Sequence, residues 1–272
     1  MDKNTEFSVE LNPEHIERNS KIFDLGFNRI SLGVQTTDTG ILKRINREYN
    51  AEMLSGNIKI LKDKGVNLSL DFMFGLPGQD IKKLKKDIDF IKDKKPEHVS
   101  FYLFTLPKNH EMAGECASDD LVYEMFKVIH NELTALGYDH YEVSNYAVKG
   151  KGCKHNMAYW ERKSYLGIGA AAHSFIKEEK LRRWHPKDVD SYIADPISCE
   201  GQESLDNKME YDENIMLGLR LLNIGVDVAP VKDKNYLPLV EKGLLKIKSG
   251  KLLVTETGIT LLDYITSELT RD

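Results

Sequence analysis

An α/β fold with a parallel sheet is predicted for the first part of this 272-residue chain. Three observations point to it. Short apolar strand segments alternate with amphipathic helical ones over residues 1–106. Gly26 and Gly65 stand where a helix C-cap glycine belongs. Three successive strand segments also stop at a polar residue: Phe7–Leu11 carries Glu10 and stops at Asn12-Pro13, Arg29–Val34 stops at Gln35, and Asp71 precedes the turn Gly75-Leu76-Pro77-Gly78-Gln79. In parallel sheets the carboxyl ends of the strands converge on one mouth, where ligands bind. A carboxylate such as Asp71 in an apolar run must be solvated, paired or used. An ordinary polar strand end explains any one of these residues alone.

The strands are expected near Phe7–Leu11, Arg29–Val34, Leu68–Met73 and His98–Leu103, with helices near His15–Leu25, Ala51–Lys64 and Ile81–Lys92 between them. After Pro107 the rhythm changes. A long helix is predicted over Asp120–Leu136, an aromatic strand over Tyr138–Tyr146 and a Gly/Lys loop over Lys149–Lys154. The run Tyr165-Leu166-Gly167-Ile168-Gly169-Ala170-Ala171-Ala172-His173 has small residues that permit close approach of backbone to something flat or charged. The acidic stretch Cys199–Lys208 reads as a linker. Beyond it come a helix over Glu210–Leu221, a hairpin over Gly243–Val254 with a Ser-Gly turn, and a final helix opened by Thr255-Glu256-Thr257-Gly258. Helix, hairpin, helix is the pattern of a winged-helix-like module. Three parts are therefore expected: 1–106 with the βα repeats, 107–198 completing the barrel, and 199–272 as the C-terminal module.

Hydrophobic residues make up 41% and charged residues 30% of the chain. No apolar run approaches a membrane span and no secretory leader is read, so a cytoplasmic protein is expected. The formal charge of -5 supplies no global attraction to nucleic acid. The cluster Lys82-Lys83 with Lys85-Lys86 reads as a solvated helix face, and no basic recognition helix marks the C-terminal module as a DNA reader. Cys116, Cys153 and Cys199 lie too far apart in sequence for a CxxC or zinc motif and are expected as free thiols.

These motifs resemble the radical S-adenosylmethionine (SAM) proteins related to oxygen-independent coproporphyrinogen III oxidase. The residues that carry the likeness are Glu10-Leu11-Asn12-Pro13, Arg29-Ile30-Ser31-Leu32-Gly33-Val34-Gln35, Asn46-Arg47 and Asp71 through Gln79. Within that superfamily, His155-Asn156-Met157-Ala158-Tyr159-Trp160 is similar to the HNxxYW signature of the HemW-like heme chaperones, and Tyr165–Phe175 with Arg182-Arg183-Trp184 continue the likeness. The resemblance implies a partial parallel (β/α) barrel of radical SAM type with a small C-terminal winged-helix-like module. It also implies a mouth that holds SAM and an iron–sulfur cluster, with Glu10, Gln35, Arg47 and Asp71 as SAM contacts. Arginine can pair with the SAM carboxylate, and a carboxylate can accept from its ribose hydroxyls or amino group.

The family carries three cysteines, spaced by three and then two residues, ahead of its first glycine-rich SAM-binding segment. This sequence has neither, so the chain is expected to be truncated at the N-terminus relative to the family, without cluster ligands, and oxidase chemistry is not expected of it.

A porphyrin needs flat apolar walls, cations for its propionates and an axial ligand. Tyr159, Trp160 and Trp184 offer walls, and Arg182 and Arg183 offer cations. His155 or Cys153 would be the iron ligand, with His173 as another candidate. Equally, His155 and Asn156 can form a turn bonded to backbone while Tyr159 and Trp160 anchor it, and His173 can be a satisfied core histidine. The leading expectation is a heme chaperone that binds heme and delivers it to acceptor proteins, respiratory proteins being one candidate class. The alternatives are an oxidase acting on coproporphyrinogen III and a non-catalytic remnant.

Overall fold

The computed structural model describes residues 5–16, 20–107 and 109–271. It divides into two compact units, Met1–Gly152 and Cys153–Asp272.

In the first unit, β1 (Ser8–Leu11), β2 (Arg29–Gln35), β3 (Asn67–Phe74) and β4 (His98–Leu103) pair in parallel in that order. Their outward rows are apolar: Ile30, Leu32, Val34, Leu68, Leu70, Phe72, Val99 and Phe101 are all buried. Alternation of period two is what sets such rows on one face. Leu54, Ile58 and Leu61 of α2 (Ala51–Asp63) and Leu84, Ile88 and Ile91 of α3 (Ile81–Lys94) recur at helical spacing and are buried too, each such side chain contributing about 1.5–3 kcal/mol. Asn50 caps α2 by accepting from the Met53 amide at 2.9 Å, and Asp80 caps α3 by accepting from the Lys83 amide at 2.8 Å. The four parallel strands and the helices α2 and α3 are thus as the sequence predicts.

Two local expectations are corrected in this unit. The segment His15–Leu25 is not one α-helix: its described residues form 3-10 turns at Pro13–His15 and Ser20–Leu25, and 17–19 lie outside the described residues. A short helix, α1 (Thr39–Arg44), follows β2, capped by Asp38, which accepts from the Ile41 amide at 3.0 Å. After α4 (Asp119–Ala135), the aromatic segment Tyr138–Tyr146 folds into β5 (Asp139–Glu142) and β6 (Asn145–Ala147). The sheet order is β1-β2-β3-β4-β6-β5, with β6 antiparallel to both neighbours, so an antiparallel hairpin closes a sheet that starts parallel. Because β6 pairs with β4, the sheet is continuous across residue 106.

The second unit opens with α5 (Lys154–Trp160), where a loop was expected to reach Lys154. An antiparallel sheet follows, of β7 (His173–Ile176), β8 (Leu181–Trp184) and β9 (Gly201–Ser204), with α6 (Val189–Ala194) between β8 and β9. The presumed linker Cys199–Lys208 therefore holds a paired strand and the cap of the next helix, α7 (Asn207–Gly218), where Asp206 accepts from the Met209 amide at 2.8 Å. Its charge is neutralised rather than solvated: Glu203 accepts from Arg182 at 3.2 Å. Glu213 on α7 pairs with Arg182 and with buried Arg162, the latter at 3.1 Å. β9 pairs with β8 across residue 198.

The remaining chain forms β10 (Val226–Asp227), α8 (Asp233–Glu241), β11 (Leu245–Lys248), β12 (Lys251–Val254), α9 (Glu256–Ile259) and α10 (Leu262–Leu269), with sheet order β10-β12-β11. The hairpin turn takes left-handed φ at Ser249 (51°) and Gly250 (76°), as the Ser-Gly signal predicts. The final helix is split in two. Gly258 is needed there because a Cβ would run into the Leu244 carbonyl.

Candidate functional site

The sheet of the first unit has a second face, and it is polar. Paired residues of parallel strands share a face, so Glu10, Ser31 and Ser69 form one row, and Gly33, Asp71 and Ser100 the next. Asp71 is the centre of this surface. Its Oδ2 accepts from Ser31 Oγ at 2.6 Å, and its Oδ1 accepts from Ser100 Oγ at 2.8 Å and Ser69 Oγ at 3.0 Å. Burial pushes the Asp71 carboxyl up from its ordinary value, opposed by the three serine hydroxyls and by Arg29.

Ser69 also meets His98 Nδ1 at 2.8 Å, and His98 Nε2 meets the Tyr141 hydroxyl at 2.8 Å. With Asp71 ionised and able only to accept, Ser69 donates to it and accepts from His98 Nδ1–H. Nε2 then accepts from Tyr141. Burial holds the His98 imidazole well below its ordinary pKa, as this neutral tautomer requires. A hydrogen-bonded line Asp71–Ser69–His98–Tyr141 thus runs along the polar face.

Gln35 joins the same face by a bulge. It takes φ 59°, the pairing register shifts between Gly33 and Gln35, and its amide folds back so that a Cβ on Gly33 would lie 2.9 Å from Gln35 Nε2 and 3.2 Å from Asn12 Oδ1. Gly33 therefore leaves a gap lined by two amides beside Asp71. Tyr102 lies at the same place: burial pushes its hydroxyl up to about 12, with the charges of Asp71, Glu142 and Glu10 adding. Of the four expected SAM contacts, Glu10, Gln35 and Asp71 are brought to this one face. Arg47 follows α1 outside the strands, where its charge acts on Tyr49.

A second buried carboxylate was missed among the lysines of α3. Lys82, Lys85 and Lys86 are exposed, as expected, but Asp87 faces the core. It accepts from the Thr37 amide and hydroxyl, both at 2.6 Å, from Thr36 Oγ1 at 3.0 Å and from Gln79 Nε2 at 3.4 Å. Burial pushes Asp87 up to about 6 against these bonds. The carboxylate joins the loop after β2 to the turn after β3.

In the second unit the HNxxYW residues lie on a helix and not in a turn. His155 is exposed on α5, its ring edge-on to Tyr159 at 4.6 Å, and Tyr159 is in turn edge-on to Tyr165 at 4.5 Å. Asn156 is half-buried. Trp160 lies under the Arg220 guanidinium at 4.6 Å. Cys153 is buried at the N-cap of α5. Arg182 is taken up by Glu203 and Glu213, whereas Arg183 beside it is exposed. His173 is exposed and stacks on Trp184 at 5.7 Å, so it is not a core histidine. The glycine–alanine run approaches its own backbone: a Cβ on Gly167 would strike His173.

Among the described residues no group of three His, Cys, Asp or Glu side chains is placed to hold a metal ion. Cys116 is half-buried, Cys153 buried and Cys199 exposed. This thiol set does not fit an iron–sulfur cluster, which needs convergent thiolates. The polar face does fit SAM. It offers a carboxylate, two amides and a gap at Gly33.

A parallel βα sheet with a carboxylate-centred polar face defines a class, and the sequence comparison agrees with it: the family profile of the radical SAM superfamily matches residues 1–91. The full-chain fold is similar to the coproporphyrinogen III oxidase HemN of Escherichia coli, a radical SAM enzyme, with a TM-score of 0.81 over 98% of this chain and 70% of that one, at 18% identity. A protein called heme chaperone HemW from Bacillus subtilis is 33% identical over 280 residues, 93% of this chain and 73% of that protein. Proteins of the same name from Lactococcus lactis and from Buchnera aphidicola of Acyrthosiphon pisum are 34% and 32% identical; the matches span 59% and 54% of their lengths. The chain belongs to the HemW family of radical SAM proteins.

The residues that sequence reasoning missed are Ser31, Ser69, Ser100, His98, Tyr141 and Asp87. The signal for the first three was present, since Arg29, Ser31 and Gly33, like Ser69 and Asp71, alternate with apolar neighbours.

Proposed function

We propose that this chain binds heme through its second unit and hands it to acceptor proteins, and that the first unit binds SAM on its polar face through Asp71, Gln35 and Glu10, with Arg47 reaching the SAM carboxylate. The observation that carries the heme reading is the 33% identity with the B. subtilis heme chaperone over 93% of this chain. The residues proposed for the heme are the α5 signature of His155, Asn156, Tyr159 and Trp160, with exposed His155 as the iron ligand. For SAM, the gap over Gly33 and the serine-held carboxylate of Asp71 support the reading.

The 33% identity is with a heme chaperone, whereas the likeness to the coproporphyrinogen III oxidase is one of fold at 18% identity, so heme transfer is favoured over decarboxylation of coproporphyrinogen III. Titration of the purified chain with hemin, followed at the Soret band, and with SAM by calorimetry tests both halves. Saturable binding of each is expected. A featureless hemin titration would remove the heme reading and leave the SAM reading standing.

A further inference from the structure

We infer that Tyr165, which lies outside the α5 signature, is a positioning residue for the iron ligand: through the ring of Tyr159 it fixes the plane of the His155 imidazole against the β7–β8 sheet. The inference rests on the heme reading just given, with His155 on the iron.

α5 is too short to orient His155 by itself. It has seven residues, and Cys153 at its N-cap makes no side-chain cap bond. A helix of that length is marginal alone, so the first turn, where His155 stands, takes its order from contacts outside the helix. His155 is also exposed. A side chain that samples several rotamers loses that freedom when it takes iron, and a ring held beforehand loses less.

The holding contacts form a line of rings. His155 and Tyr159 stand four residues apart on one helix face, and the imidazole is edge-on to the phenol ring at 4.6 Å with 86° between the planes. Tyr159 is edge-on to Tyr165 at 4.5 Å and 70°. In an edge-to-face pair a positive ring edge meets a negative ring face, so the plane of one ring constrains that of the next.

The line ends on a fixed point. The Tyr165 amide donates to the Phe175 carbonyl at 2.9 Å, and the Phe175 amide donates to the Tyr165 carbonyl at 3.0 Å, so the backbone of Tyr165 is tied to β7 in both directions. Phe175 is buried, with the guanidinium of Arg162 over its ring at 5.2 Å and that of Arg182 at 5.9 Å, and both arginines pair with Glu213. The sheet thus holds Tyr165, Tyr165 holds Tyr159, and Tyr159 holds His155. Metal-ligating histidines are commonly oriented by partners that never touch the metal; here the partner is a ring and not a hydrogen-bond acceptor. Only the ring of Tyr165 is needed for this, and its hydroxyl is not.

The test titrates the full chain and its variants with hemin and with iron-free protoporphyrin IX, beside a thermal melt of each. Tyr165→Leu and Tyr165→Met remove the ring, and Tyr165→Phe keeps it. The first two should weaken hemin by about two- to tenfold, the scale of one aromatic pair, and move the Soret maximum toward that of His155→Ala, while protoporphyrin affinity stays that of the parent because only the iron contact is disturbed. Tyr165→Phe should match the parent in affinity and in Soret maximum. The inference is overturned if Tyr165→Leu binds hemin with the parent's affinity and Soret maximum, if it weakens both porphyrins equally and so marks Tyr165 as a wall, if Tyr165→Phe behaves like Tyr165→Leu, or if neither ring-less variant melts cooperatively and so marks Tyr165 as structural. In each of these cases the heme reading stands. A parent that binds no hemin, or a His155→Ala variant that titrates like the parent, removes instead the reading on which the inference rests.

Discussion

Ser31 donates its hydroxyl to Asp71 across the β2–β3 pair at 2.6 Å, the shortest of three serine contacts to that carboxylate. Three hydroxyls hold a charge that burial opposes, so the sheet itself gains little from the charge. Asp71→Asn is therefore expected to leave the melting temperature near that of the parent while weakening SAM binding by about 1–3 kcal/mol, the scale of a hydrogen bond to a charged group. Calorimetry with SAM beside a thermal melt distinguishes the two effects. A large drop in melting temperature with unchanged SAM affinity would make Asp71 a staple of the sheet.

The Gly33 gap gives a steric version of the same experiment. Gly33→Ala places a methyl group against the Gln35 and Asn12 amides, 2.9 and 3.2 Å away. SAM binding should fall more than it does for Gln35→Ala, which only removes an amide. Equal affinities in the two variants would mean that the gap is not occupied by ligand.

Buried histidines set the response to acid. Burial lowers His140 to about 4 and His98 well below its ordinary value, so the folded chain stays unprotonated there while the unfolded chain takes up protons below about pH 6.5. Their contribution is complete above that pH and is lost as pH falls toward 4. Asp87 has the opposite sign: raised to about 6, it binds a proton in the fold before the unfolded chain does, so it adds stability as pH falls from 6 toward 4. His140→Gln should flatten the loss of stability between pH 6.5 and 4 in denaturant titrations, and Asp87→Asn should steepen it. An unchanged slope in both variants would contradict the assignment.

Arg162 is buried and donates to Glu213 at 3.1 Å, Asn214 at 3.1 Å and Glu210 at 3.4 Å. Arg162→Ala removes one of two cations from each carboxylate, Glu213 keeping Arg182 and Glu210 keeping Lys180, and is expected to destabilise the second unit by about 1–3 kcal/mol. Arg162→Lys restores charge without the fork and should recover only part of it. Chemical denaturation followed by tryptophan fluorescence reports this unit, because Trp160 and Trp184 both belong to it.

Reconstitution with iron and sulfide under anaerobic conditions provides the check on the thiols. The polypeptide is expected to show no stable four-iron absorbance, given one buried, one half-buried and one exposed cysteine that do not converge. A reproducible cluster spectrum would require a rearrangement that brings these thiols together.

Strands β2–β4 and helices α2–α4 were legible because each buries one strongly apolar row at the period of its own geometry, and β1 was legible from its stop at Asn12-Pro13. The β5–β6 hairpin was not, since its turn at Val143-Ser144 lacks glycine or asparagine and the aromatic run reads as continuous. The β7–β8–β9 sheet escaped notice because strands of four residues carry too little alternation, and because the partners of Glu203 and Glu213 lie on other elements. At the polar face, Glu10, Gln35 and Asp71 were readable as strand ends, but the serine cage depends on register between strands, which one strand cannot reveal. Asp87 looked like part of a solvated lysine helix. Only the third dimension shows two threonines and a glutamine waiting for it.

The Asp87 tie also has a kinetic side. A single side chain on α3 holds Thr36 and Thr37 after β2 and Gln79 after β3, while Gln79 Oε1 accepts from the Leu76 amide within the turn itself. Neither loop can lift away from the strand ends without breaking bonds that the other shares. The two loops should open as one cooperative unit, so that the amides of Thr37 and Leu76 exchange with solvent deuterium at a common rate, and Asp87→Asn should accelerate both together.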